Sequence, residues 1–249
     1  RFVSMQSSFT SGEININDLN DEDLWIRDKF ASLIDSTKQS YKNYRFDYAS
    51  KNIYSFVWQD YCSWYIEISK SNLNNKDLSE KTKQVIVMNL REVLKNILLL
   101  LHPIMPFITE EIYKDVFSEG KFLQDNDFPD SKKFRSSKEL HDINWMIDVV
   151  SEIRKTRSEI GVQPNKNIDI FVNGETEKDK IYFKKMSYLI MSLAKINNIY
   201  TDKKIDTDNF HTCVSNNLKL LIPSSDIIDI ASEVNRLSKE ELKLTGQYE

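Results

Sequence analysis

From Asn20 onward, apolar residues recur three or four positions apart, the spacing that puts them on one face of an α-helix. Residues 4–20 precede this pattern as a polar stretch rich in Ser, Asn and Asp, and they read as a loop. Asn20 and Asp21 supply an N-cap and an acidic first turn. Ile26, Phe30, Leu33, Thr37 and Tyr41 then line one face of a first helix. Phe46, Ala49, Ile53, Phe56, Val57, Tyr61, Trp64 and Ile68 carry the rhythm through a second helix, to about Ser69. An Asn-rich loop at 71–77 leads to a third helix, roughly 78–101, striped with Val87, Leu90, Leu94, Ile97 and Leu101. Pro103 and Pro106 force a turn, and Pro106 suits the first position of a short fourth helix. Four helices with short connections predict an up-down bundle.

The pattern changes after residue 118. A polar segment to about 138, with Gly120 and Pro129, marks a boundary. A fifth helix at 139–160 carries Leu140, Ile143, Ile147, Val150 and Ile153 and stops at Gly161, as a C-cap would. Beyond Pro164 the period drops to two, with Ile168, Ile170 and Val172 alternating with Asp169 and Phe171, which predicts a strand. A helix over 176–194 and strands near 197–201, 209–215 and 217–222 follow. From Ser225, the residues Ile227, Ile230, Val234, Leu237 and Leu244 begin a heptad seam. The expected fold is mainly α, a helical bundle at 1–130, then a small α/β subdomain at 131–224 and the start of a coiled-coil helix at 225–249.

Composition narrows the chemistry. Only 5 of 249 residues are glycine, which excludes a Gly-rich phosphate loop or a dinucleotide fingerprint. No run of about 18 apolar residues offers a membrane span. Two cysteines, Cys62 and Cys213, are too few for a zinc cluster or a disulfide framework and fit a reducing cytoplasm. The net charge is −4, with −5 on residues 1–130 and +1 on the rest. An acidic first half is unlike a sequence-independent nucleic-acid binder, so any such role must rest on a local site.

Isolated reactive residues mostly read as structural. His102, His141 and His211 have no Cys or carboxylate at metal-ligand spacing. Adjacent Glu110 and Glu111 point about 100° apart on a helix and favour its dipole rather than sharing a site. Cys62, Trp58 and Tyr61 read as packed core. Arg154 and Arg157 share a helix face and either grip a nucleic-acid backbone or pair within the protein, with Glu152 and Asp148 as the nearest carboxylates.

Two longer motifs carry a resemblance. Phe56-Val57-Trp58-Gln59-Asp60-Tyr61-Cys62-Ser63-Trp64-Tyr65-Ile66-Glu67 resembles the F-x-W-x-x-F-C-D-W-Y-L/I-E stretch of valyl-tRNA synthetases. The run from Leu101 through His102-Pro103-Ile104-Met105-Pro106 to Glu111 is similar to the turn of the class I synthetase anticodon-binding bundle. Arg1-Phe2-Val3 and Arg45-Phe46-Asp47 also fit. These motifs alone suit isoleucyl or leucyl relatives equally. Arg154-Lys155-Thr156-Arg157-Ser158-Glu159 followed by Pro164, then Leu220-Leu221-Ile222-Pro223 and the heptad tail, favour the valyl type.

The resemblance implies a parent enzyme that joins valine to its tRNA with ATP and magnesium, in the cytoplasm and as a monomer. This chain, opening abruptly on Arg1, reads as the piece that holds the anticodon, with tRNA as its partner and no cofactor or metal of its own. The family's H-I-G-H and K-M-S-K-S motifs are not matched. Lys185-Met186-Ser187-Tyr188 imitates the second but falls on a predicted helix. Matching to the family motif singles out Phe2, Ile66 and Glu67 at the anticodon, with Trp64 as a further stacking residue. Glu67 is suited to accept a hydrogen bond from an exocyclic amine. Arg1, Lys70, Arg154 and Arg157 are the expected contacts to the tRNA backbone. A non-catalytic scaffold that binds another protein is the reading from a different class.

Overall fold

The structure, a computed structural model, describes residues 2–5, 14–117, 122–201, 210–215 and 218–223. A one-turn helix α1 (Phe2–Met5) is followed by the long α2 (Asp21–Lys42). Asn20 caps α2 as the sequence predicts. Its side chain accepts the Asp23 N–H at 2.7 Å, while Asp23 accepts the Asn20 N–H in return. At the far end Tyr44 adopts φ 56°, the left-handed conformation that lets the chain reverse, and the Arg45 N–H reaches back to the Ser40 carbonyl.

The second predicted helix forms as one rod with an unforeseen middle. It comprises α3 (Phe46–Ser55), a π-helical stretch (Phe56–Tyr65) and α4 (Ile66–Asn74). In the π stretch the hydrogen bonds skip an extra residue, so the Ile66 N–H bonds to the Tyr61 carbonyl. The Ser63 hydroxyl likewise reaches the Trp58 carbonyl, at 2.7 Å. This wider winding moves the inward-facing positions. Phe56, Tyr61, Tyr65 and Ile68 are buried, whereas Trp58 is 62% exposed and Trp64 only half-buried. The expectation that Trp58 is core is therefore corrected, and Tyr65 takes the place that uniform helical spacing gave to Trp64. Cys62 is likewise half-buried rather than fully packed.

Helix α5 (Glu80–Leu101) supplies the central stripe of Val87, Leu90, Val93, Ile97 and Leu100. The Tyr61 hydroxyl donates to the Leu90 carbonyl and the Tyr41 hydroxyl to the Leu100 carbonyl, at 2.8 and 2.6 Å. Those contacts set α2 parallel to α5, with the α3–α4 rod antiparallel to both. After the Pro103 turn, α6 (Pro106–Phe117) folds back along α5, burying Tyr113 and Phe117 against Leu98, Leu99 and Leu123. The order is thus up, down, up, down. The Thr109 hydroxyl donates to the Met105 carbonyl and is hydrogen-bonded to His102 Nδ1, both at 2.8 Å, so His102 locks this turn. Glu110 accepts the Leu123 N–H at 2.7 Å and anchors the following segment.

The chain divides into two compact units between Ile143 and Asn144, in the first turn of α7 (His141–Glu159). The second unit has β1 (Ile168–Asn173), α8 (Glu177–Ala194), β2 (Ile196–Tyr200), β3 (Phe210–Ser215) and β4 (Leu218–Pro223). Its sheet runs β2-β1-β4-β3, with β1 parallel to β2 and the remaining pairs antiparallel. A parallel pair needs a crossover, which α8 provides. Ile168, Ile170 and Val172 point inward, as their alternation requires. Gly161 follows α7 at φ 73°, the conformation a terminating glycine permits. The fold is therefore mainly α, a helical bundle followed by a small α/β part. The predicted heptad tail lies outside the described residues.

Candidate nucleic-acid interface

Three of the residues singled out in the sequence meet on the first unit. Phe2 lies half-buried on α1, and the Lys70 ammonium of α4 sits 5.3 Å from the centre of its ring. Lys70 also donates to Glu67 at 2.7 Å, one turn earlier on α4, and both side chains are about two-fifths exposed. Glu67 is thus held in place by a neighbour rather than standing as an unattached carboxylate. Only one of its oxygens is engaged by Lys70. Ile66 is half-buried beside it, and Trp64 lies one turn earlier at the end of the π stretch. The cluster presents a ring, a cation, an acceptor and apolar walls on one end of α4. Arg1 lies outside the described residues.

The other two predicted contacts belong to the second unit and are occupied there. Arg157 is buried, and its guanidinium donates to the carbonyls of Lys195, Gln163 and Lys166 at 3.1, 3.2 and 2.6 Å. Arg154 gives Nε and Nη2 to the Leu193 carbonyl at 3.1 and 2.9 Å. The pair fastens α7 to the end of α8 and to the loop before β1. This is the within-protein role, although the acceptors are backbone carbonyls rather than Glu152 or Asp148. These three carbonyls take three of the five N–H donors of Arg157, whose side chain is buried.

A buried polar network beneath α4 was not foreseen. Asp23 Oδ1 accepts the Tyr65 hydroxyl at 2.5 Å, and Asn89 donates to that same phenol oxygen at 2.7 Å. Arg27 donates to Asn89 Oδ1 at 2.9 Å, to the Lys133 carbonyl at 2.8 Å and to Glu92. Its guanidinium also stacks 4.6 Å from the Phe134 ring. Burial pushes the Asp23 carboxyl up to about 6, against the opposing pull of the Tyr65, Asn20 and Asn89 hydrogen bonds and the Arg27 charge. Tyr65 is the last residue of the π stretch, so the network fixes where α4 resumes and hence where Ile66, Glu67 and Lys70 point. No sequence signal marks it, because Val57, four residues before Tyr61, keeps the α-helical rhythm through this stretch.

Lys185, Met186 and Ser187 lie within α8, where Met186 is buried, so the fragmentary motif there is part of a packed helix. Among the described residues, no group of three His, Cys, Asp or Glu side chains could hold a metal ion. No described helix is long and apolar enough to cross a membrane.

The helical bundle, with its turn between the third and fourth rods, falls in a class of tRNA-ligase modules. Residues 23–172 match the model of the anticodon-binding domain of tRNA ligases, and the chain belongs to that family. It is similar to valine–tRNA ligase of Francisella tularensis, at 35% identity over 91% of this chain and 25% of the relative. The valine–tRNA ligase of Coxiella burnetii is 33% identical over 96% of this chain and 27% of its own length. That of Clostridium acetobutylicum is 31% identical over 91% and 26%. The chain spans about a quarter of the length of these relatives.

Proposed function

We propose that this chain holds the anticodon arm of a valine-accepting tRNA. It does so as part of a longer cytoplasmic, monomeric ligase that joins valine to that tRNA with ATP and magnesium. The observation that carries this reading is the Phe2–Lys70–Glu67 cluster on the family's bundle. Phe2 offers a ring on which an unstacked anticodon base packs, and base–aromatic stacking contributes about 1–3 kcal/mol. Glu67 offers its second oxygen to an exocyclic amine. Ile66 and Trp64 supply apolar walls, while Lys70, joined by Arg1, neutralises a phosphate and positions without specifying. This part performs no chemistry. Its contribution is binding, and the activation of valine belongs to the remainder of the longer protein.

Phe2→Ala and Glu67→Ala test the assignment. Each is expected to weaken tRNA binding by about 5- to 150-fold, the range that 1–3 kcal/mol spans, with an unchanged circular dichroism spectrum. Lys70→Ala is expected to reduce the salt slope of binding by about one counterion. Unchanged affinity in both alanine variants removes these residues from the interface. Loss of folding in either gives that residue a purely structural role.

A further inference from the structure

The opposite end of α2 holds a second feature that the anticodon cluster does not use. An open groove of about 530 Å³ runs between the end of α2, the start of α3, Pro103 and residues 128–131. Asp23, in the first turn of α2, touches Tyr65 beside the anticodon cluster, whereas Tyr41 of the groove lies eighteen residues further on. At 1.5 Å per residue the two places are roughly 27 Å apart. They are separate sites.

The groove's lining has an unusual division of labour. Tyr41, Phe46 and Phe128 bring three aromatic rings together, with centroids 5.6 Å apart for Tyr41–Phe46 and 6.5 Å for Tyr41–Phe128. The Tyr41 hydroxyl is already spent on the Leu100 carbonyl, so the groove meets its ring and not a free phenol. The two rim carboxylates differ, Asp35 being ion-paired while Asp130 keeps its charge and one oxygen beyond a bond within its own turn. Asp35 is held by Arg135 at 2.7 Å, and hydrogen bonds from Ser131 and Arg135 keep its carboxyl below the usual range. Asp130 accepts the Lys132 N–H of the adjoining turn at 3.1 Å. Lys38 and Lys42, four apart on one face of α2, are exposed and make no ion pair within 4 Å among the described residues, although the Lys38 charge helps to hold the Asp35 carboxyl down. The uncommitted chemistry is therefore aromatic surface flanked by two cations, with one Asp130 oxygen at the rim.

We propose that this groove binds a nucleoside monophosphate unit, its base packed on Tyr41, Phe46 and Phe128 and its phosphate taken by Lys38 and Lys42. The volume falls within the 300–1,000 Å³ range of small-ligand sites. A planar base matches the rings in shape and polarisability, and the phosphate satisfies the lysines. An apolar peptide would use the rings and leave both cations without a role. The same unit is found as a free nucleotide and as an unstacked nucleotide of an RNA, and the test separates the two.

Adenosine monophosphate is titrated into the whole chain while backbone amide shifts are followed. Saturable binding is expected at submillimolar to millimolar concentration, with the shifts centred on 38–46 and 128–131. Lys38→Gln with Lys42→Gln should weaken it at least tenfold, and Phe128→Ala should do the same. Adenosine and inorganic phosphate should each bind at least tenfold more weakly than the nucleotide. These substitutions fall on exposed positions, so circular dichroism should be unchanged. No saturation by about 20 mM overturns the proposal, as does indifference to both sets of substitutions or a shift pattern centred on Phe2 and Lys70. Added tRNA that displaces the nucleotide from the groove assigns the site to an RNA nucleotide, and continued occupancy assigns it to a free one. Neither result depends on how the anticodon is read.

Discussion

Arg27→Ala is expected to destabilise the bundle by about 2–4 kcal/mol, the cost of removing a buried guanidinium that serves several acceptors, although its Glu92 partner is one-third exposed. That is a large share of the 5–15 kcal/mol that holds a typical domain folded. The guanidinium is buried and serves Asn89, Glu92 and the Lys133 carbonyl at once, while its charge offsets that of Asp23. Removing it strands three acceptors and leaves a buried carboxylate without its nearest cation. Urea unfolding followed by circular dichroism checks this, the first unit's transition moving to lower denaturant. Arg135→Ala is the control, because the half-exposed Arg135–Asp35 pair is worth less than about 1 kcal/mol. Equal small losses in both variants would mean that the network contributes no more than a surface pair.

The Asp23 carboxyl gives the second large effect. Its proton is held more tightly in the folded state, at about 6, than at the ordinary 3.8 of an unfolded chain. Stability from this group is therefore complete below about pH 4 and is lost as the pH rises through 6. The two-unit gap corresponds to about 3 kcal/mol. Asp23→Asn cannot titrate. Relative to that variant, the native protein is expected to lose roughly 2 kcal/mol between pH 4 and pH 7, most of the full span. A constant difference across this range would show an ordinary carboxyl, and a gain with rising pH would show one depressed by Arg27.

The sequence was most informative where one force acts alone. The apolar stripe of α2, the Asn20 cap, the stop at Gly161 and the alternation in β1 appear where their periodicities put them, whereas in α5 Val93 and Leu100 are buried in place of the expected Leu94 and Leu101. Legibility failed where two forces compete. Uniform helical spacing put Trp58 inside, but the π stretch turns it out and seats Tyr65 over Asp23. Nothing local announces that winding, because it follows from polar groups on three helices satisfying one another. Asp23, Arg27 and Asn89 each read alone as ordinary helix residues, and their roles exist only once α2, α4 and α5 are packed. The anticodon candidates divided in the same way. Phe2, Glu67 and Lys70 converge, whereas Arg154 and Arg157 are drawn inward by carbonyls of the second unit that no motif could indicate.

On the proposed reading, that convergence is how an acidic bundle would serve an RNA. The long-range field would offer little attraction, so recognition would rest on a local site oriented by the buried network beneath it. Affinity for the isolated chain should accordingly be modest and its selectivity the more telling quantity.

The most direct test compares this chain's binding to valine, isoleucine and leucine tRNA transcripts and to the same transcripts with their anticodons exchanged. The account predicts that affinity follows the anticodon, so that an isoleucine or leucine transcript carrying the valine anticodon binds as the valine transcript does. Equal binding to all transcripts, indifferent to the exchange, would contradict it, and capture of a protein partner in the absence of any tRNA binding would assign the bundle to a scaffold instead.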